Sequence, residues 1–202
     1  MEHPPQVKTL KAAVVDRREA MQLLMGYNSF NGYVWNKLFD LQLIRENDIR
    51  FHADYPACED TMFVGSYLYH CSRVCVTEEC LYCYRQVSGG ANRGRYSGRK
   101  AYDPKWMSVF EMTEYMADLY KDDAVTAACR LHEVREAGIV LRSMEAAGYH
   151  GADHARLKGI LRRGAGLFFR DENSGRSQKL SVLLSCISPK LELAVWKLRN
   201  RK

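Results

Sequence analysis

Two places in this 202-residue chain combine residue types that can do chemistry. Glu59 and Asp60 stand side by side, between a segment containing Pro56 and an apolar turn of Met62 and Phe63. A carboxylate held at the mouth of a helix and partly desolvated suits a general base, because desolvation raises a carboxyl pKa toward working pH. Acidic residues are also common in first helical turns, so the pair alone does not separate catalysis from helix stabilisation. The second place is the end of a strand-like run, Tyr84-Arg85-Gln86, feeding a glycine-rich basic segment. Glycines let backbone approach a ligand, and Arg85, Arg93, Arg95, Arg99 and Lys100 can neutralise phosphates. The run from Gly89 to Tyr96, GGANRGRY, lacks the Lys-Ser/Thr of a phosphate-binding P-loop, and a solvated surface loop is the competing reading.

Other clusters carry less. His132-Glu133 begins like a zinc-protease helix, but Glu136 stands where the second histidine is required, so an exposed helix face is expected. The six histidines are otherwise scattered without ligand spacing. Of the seven cysteines, Cys71, Cys75, Cys80 and Cys83 are spaced C-x3-C-x4-C-x2-C, and only the last pair has the tight spacing of a zinc knuckle. Cys75 and Cys83 sit in strand-like runs, where cysteine serves as a small hydrophobe, and the odd total favours reduced thiols.

The elements that must position these residues follow from spacing and caps. A short helix is predicted over 16–25, with Asp16 as its cap. The aromatic alternation over 33–39 predicts a strand, and Asp40 caps a helix to about Asn47. Glu59 opens a helix to about His70, and short strands are expected at 73–77 and 81–86. Beyond the loop 87–103 helices dominate: 105–121, 124–147 ending at Gly148, and about 153–163. The last stretch is broken at Pro189 and resumes as a basic amphipathic helix. The loop 87–103 is the natural boundary, with a mixed half before it and a helical half after.

At 47% hydrophobic and 27% charged, the composition excludes a disordered or fibrous chain. No 18-residue apolar run and no signal-peptide core are visible, which makes the cytosol the expected location. The net charge of +6 is uneven: residues 151–202 hold 12 Lys/Arg and 4 Asp/Glu, or +8, which leaves −2 for residues 1–150. Such a tail suits an acidic surface, whether anionic lipid, nucleic acid or a phosphorylated ligand. With no recognisable motif and few aromatics among its cations, it gives nucleic acid little support. Leu, Val, Ile and Trp196 interleaved with Lys190, Lys197, Arg199, Arg201 and Lys202 suit a membrane surface, unless those apolar residues pack as core.

Taken together, the motifs resemble one family. Trp35, Lys37, Leu38 and Phe39 form W-x-K-L-F, Ile49 to Phe51 an I-R-F, Glu59 to Phe63 an E-D-T-x-F, and Leu81 to Gln86 an L-Y-x-Y-R-Q followed by glycines. This order resembles the C-terminal half of the catalytic domain of bacterial family 2 glycosyltransferases of GT-A fold. It covers about residues 10–95, with a weaker echo at Ser188 to Leu191. The fold class it implies is α/β and α-rich: an incomplete GT-A-like acceptor half with a few short strands over 1–95, then a helical extension over 96–202 with the basic tail.

The resemblance also implies roles. Asp60, with Glu59 beside it, would be the general base on an acceptor hydroxyl. Trp35, Lys37, Tyr84, Arg85 and Arg93 would bind substrate. The reaction would be inverting transfer of a sugar from a nucleotide sugar to a glycan or lipid-linked acceptor in cell-surface polysaccharide synthesis, at the inner face of the cell membrane. Mg²⁺ or Mn²⁺ is expected for the complete enzyme and none for this chain alone, because no two of its aspartates stand two apart and the D-x-D of the donor site is missing. A shortened gene product, a deliberately cut piece and a chain that joins a separate N-terminal partner are the three explanations. In each the chain by itself transfers no sugar, and a parallel sheet without its first strands leaves an exposed apolar edge. The alternative is a non-catalytic glycan- or membrane-binding module, with no nucleic acid as partner.

Overall fold

The computed structural model describes residues 12–26, 31–77, 79, 81–83, 85 and 102–200. In chain order these hold β1 (Ala13–Val15), α1 (Arg17–Met25), α2 (Leu41–Glu46), α3 (Glu59–His70), β2 (Val74–Val76), a 3-10 turn (Pro104–Met107), α4 (Ser108–Tyr120), α5 (Asp123–Ala147), α6 (Ala152–Arg170), α7 (Arg176–Ile187) and α8 (Pro189–Arg199). The chain is therefore α-rich. The sheet among the described residues is two short antiparallel strands, with Ala13 opposite Val76 and Val15 opposite Val74. It is not the parallel sheet expected from the sequence.

Local chemistry explains where the helices begin and end. Asp16, Asp40 and Asp122 each accept hydrogen bonds from backbone N–H groups of the helix that follows, satisfying donors with no intrahelical partner. Gly148 closes α5 at φ +69°, a left-handed conformation that costs glycine little. Pro189 breaks one helix and starts the next: it is the first residue of α8, where a missing N–H is harmless, and the Ser188 hydroxyl accepts from Leu191 N.

Two apolar clusters form the core. The first joins α1 (Ala20, Met21, Leu24, Met25), α3 (Met62, Val64, Leu68), α4 (Val109, Met112, Met116) and the start of α5 (Val125, Cys129). The second packs Trp106 and Phe110 against the middle of α5 (Val134, Ala137, Val140, Leu141, Met144), α6 (Leu157, Ile160, Leu161, Phe168) and Val182 of α7. At 25 residues, α5 is the longest helix, and it contacts α1, α4, α6, α7 and α8. The end of α1 is fastened to it, since Arg135 donates to Met25 O at 2.9 Å and His132 Nδ1 stands 3.2 Å from the same oxygen. Glu133 accepts from the Thr113 hydroxyl at 2.9 Å, burial pushes its carboxyl pKa up, and Glu136 is buried. The face expected to be exposed around His132 is thus packed inside, a burial that a motif comparison along the chain does not register.

Three further expectations change. Residues 33–39 form no strand but a turn at Trp35-Asn36 in an otherwise irregular segment: Lys37 N donates to Val34 O at 3.2 Å. Aromatic alternation records a half-buried surface, and without a partner strand it does not make a ladder. Leu81, Tyr82 and Cys83 likewise have no regular structure. Helix α6 runs past its expected end through Gly164 and Gly166. A Cβ at Gly164 would collide with Val134 Cγ2 of α5, so glycine here permits close helix contact. Val134 is β-branched and stiff, so Gly164→Ala is expected to destabilise the fold by about 1–3 kcal/mol. Urea denaturation checks this, and an unchanged midpoint would show that the helices separate freely.

The basic tail divides between core and surface. Val182 and Leu193 are buried, whereas Leu180, Leu183, Ile187, Leu191 and Leu198 are exposed. No helix among the described residues is long and apolar enough to cross a membrane.

Candidate functional site

Asp60 lies in the first turn of α3, half-buried, with Glu59 exposed beside it. The start of this helix is held from two sides. Ala57 N donates to the Ser108 hydroxyl at 3.4 Å, and Cys58 Sγ lies 3.8 Å from the same oxygen, which joins the helix mouth to the start of α4. From the other side comes the segment 31–37. A side chain at Gly32 would collide with Thr61, so the backbone of this segment lies directly on the first turn of α3. Asn31 just before it is left-handed at φ 53°, a conformation asparagine tolerates better than most residues.

The segment is closed by its own lysine. Lys37 Nζ donates to Asn31 O at 2.6 Å, Tyr33 O at 2.7 Å and Asn36 Oδ1 at 2.8 Å. Burial pushes this ammonium down from 10.5 to about 8, and the charge of Asp60 pulls it partly back up. Lys37 therefore remains mostly charged at pH 7, within electrostatic reach of the carboxylate. Between about pH 8 and 10.5 the unfolded chain keeps this proton while the folded chain has lost it, so stability from this group rises with pH across that window. An amine-acylating reagent should label Lys37 half-maximally near pH 8, read by peptide mass spectrometry. In Asp60→Asn the midpoint should fall further. A midpoint at the ordinary lysine value would mean that the ammonium is fully solvated.

Trp35 stands on the same segment, stacked on Tyr33 with ring centroids 5.2 Å apart and against Tyr82 at 4.9 Å. Tyr33 and Tyr82 are both exposed, so the three rings form an aromatic surface open to solvent. Aromatic residues nearby are structural. Phe39 packs edge-on against Phe63 and Tyr67, and the Tyr67 hydroxyl accepts from Asp40 N at 2.8 Å. Leu38 of the same motif is fully exposed.

The fold thus brings Asp60, Lys37 and the Trp35 segment together. Arg85 is exposed, and Tyr84 and Arg93 lie outside the described residues. Cys71, Cys75 and Cys83 form no group of three that could share an ion among the described residues, and Cys80 lies outside them.

Two other groupings were not anticipated from the sequence, and the second corrects the expectation that the histidines lack ligand spacing. Arg142 and Glu192 form a buried ion pair at 2.8 Å beside a cavity of about 380 Å³ between α5, α7 and α8. Glu145, His150 and His154 converge at the turn from α5 to α6. The signal for the second was the four-residue step from His150 to His154 across a predicted helix start, with Glu145 one turn upstream of Gly148. No family model, curated protein or solved structure matches the chain.

Proposed function

We propose that this chain is the acceptor-side part of an inverting GT-A glycosyltransferase of family 2, with Asp60 as the general base. The observation that carries the reading is the meeting of its two motifs. The Lys37 ammonium, fastened to Asn31, Tyr33 and Asn36, lies within electrostatic reach of Asp60 at the mouth of α3. A base has to be reachable by an acceptor hydroxyl, and a half-buried side chain in a first helical turn meets that need on an anchored stretch of backbone.

Chemically, one Asp60 oxygen takes the hydroxyl proton as the acceptor oxygen bonds to the anomeric carbon. The bond from that carbon to the diphosphate breaks, and its electron pair leaves with the diphosphate. A single displacement inverts the anomeric centre. Lys37 is a positioning residue: it closes the Trp35 segment and sets a positive charge beside a carboxylate that becomes neutral during the step. The exposed Tyr33 and Tyr82 rings, held against Trp35, offer the flat apolar surface on which the C–H face of a sugar ring stacks.

The divalent ion of the complete family does not fit the residues present here. Glu59 is exposed, Asp60 faces an ammonium, and among the described residues no group of three metal-ligating side chains forms around them. No step is therefore routed through a metal at this site.

The aromatic surface also supports a non-catalytic glycan-binding module, which needs the rings but not Asp60. Joining the chain to the nucleotide-binding half of a GT-A enzyme, and comparing its sugar transfer with that of the same fusion carrying Asp60→Asn, separates the two readings.

A further inference from the structure

We propose that Glu145, His150 and His154 form a three-ligand site for a divalent transition metal, zinc foremost, with one coordination position left open. The three offer one oxygen and two imidazole nitrogens, and these atoms all lie within 4.8 Å of one another. His154 Nε2 is 2.8 Å from Glu145 Oε1, and His150 Nδ1 is 3.8 Å from the same oxygen. In a tetrahedral zinc centre with bonds near 2.0–2.1 Å, ligand atoms stand about 3.3 Å apart, a value between the two observed spacings. The rings of His150 and His154 meet edge to face at 5.0 Å, so both can aim at one point.

The turn that assembles the site is rigid. Glu145 sits near the end of α5, with only 4% of its side chain exposed. Gly148 N donates to Glu145 O and Tyr149 N to Met144 O, and the left-handed Gly148 turns the chain back over the helix end. His150 then lies above Glu145, and His154 follows in the first turn of α6. That turn is itself pinned, because the Tyr102 hydroxyl donates to Asp153 at 2.7 Å. A Cβ at Gly151 would come within 2.5 Å of the Tyr149 hydroxyl, so the tyrosine ring packs closely over the backbone where the chain enters α6. Ligands from two packed helices and a capped turn are pre-organised, which lowers the ordering cost of binding.

The choice of ion follows from the donors. Two imidazoles and a carboxylate suit zinc and its neighbours, whereas Mg²⁺ and Ca²⁺ demand oxygen shells. A cavity of about 290 Å³ opens beside the three ligands, lined also by Lys158, Ser188 and Lys190. One carboxylate leaves the bound ion with a net positive charge, and the two lysines add to it. The open position therefore favours an anion, such as hydroxide or an oxyanion, over a second neutral ligand.

The test titrates Co²⁺, then competing Zn²⁺, into the full chain freed of metal by chelation. Expected is one ion per chain, with visible bands of a four- or five-coordinate Co²⁺ centre and no near-ultraviolet thiolate band. His150→Ala changes a half-exposed side chain and leaves the fold intact, and it should weaken binding at least about tenfold. His154→Ala should do the same, and zinc should raise the Tm of the unaltered chain but of neither variant. Absence of Co²⁺ bands overturns the proposal. So does a thiolate band that persists in both variants, since the cysteines would then hold the ion.

Discussion

Asp60→Asn, introduced into the chain joined to a GT-A nucleotide-binding half, is expected to lower sugar transfer by about 10²–10⁴-fold, the usual contribution of a positioned general base. Asparagine keeps the shape of the side chain and its place in the first turn of α3, but it cannot accept the hydroxyl proton. The loss should fall on kcat with little change in acceptor KM, because the missing interaction belongs to the transition state. Lys37→Met provides the contrast. It removes the three bonds that close the Trp35 segment, so acceptor KM should rise as well. Circular dichroism of both variants checks that they fold. Transfer unchanged in Asp60→Asn would assign the chain to the glycan-binding module, with the aromatic surface as its working part.

Arg142→Ala should produce the largest loss of stability, about 3–5 kcal/mol, which for a chain of this length lowers Tm by roughly 6–20 °C. Arg142 donates to Glu192 Oε1 at 2.8 Å, and the Ser181 hydroxyl donates to the same oxygen at 2.6 Å. The other carboxylate oxygen is buried without a hydrogen-bond partner. Removing the guanidinium leaves a charge that is 3% exposed with a single hydroxyl for company. It also removes a cation lying 5.0 Å over the Trp196 ring, which fastens α8 to α5. Burial pulls the Arg142 pKa down and Glu192 raises it again, so the pair is mutually dependent. Replacing both partners by apolar residues, Arg142→Met with Glu192→Leu, should recover most of the loss. Thermal denaturation decides, and a double variant no better than the single one would mean that the pair itself, and not its breakage, carries the stability.

The sequence by itself determined the helices and much of their punctuation. Asp16, Asp40, Gly148 and Pro189 act through bonds and dihedral limits that involve only neighbouring residues, and each stands where local reading put it. Glu59 and Asp60 opening α3 is legible for the same reason. Tertiary structure alone decided what those elements surround. The 33–39 segment has the period of a strand, but Lys37 binds the Asn31 and Tyr33 carbonyls and, among the described residues, no strand pairs with it. Arg142 and Glu192 stand far apart in sequence, and only the packing of α8 on α5 makes them a buried pair. His150 and His154 meet Glu145 because a left-handed glycine reverses the chain between two helices. Caps and turns are short-range, so a sequence states them directly. Burial and side-chain convergence depend on which helix faces lie against one another, and that is a property of the whole fold.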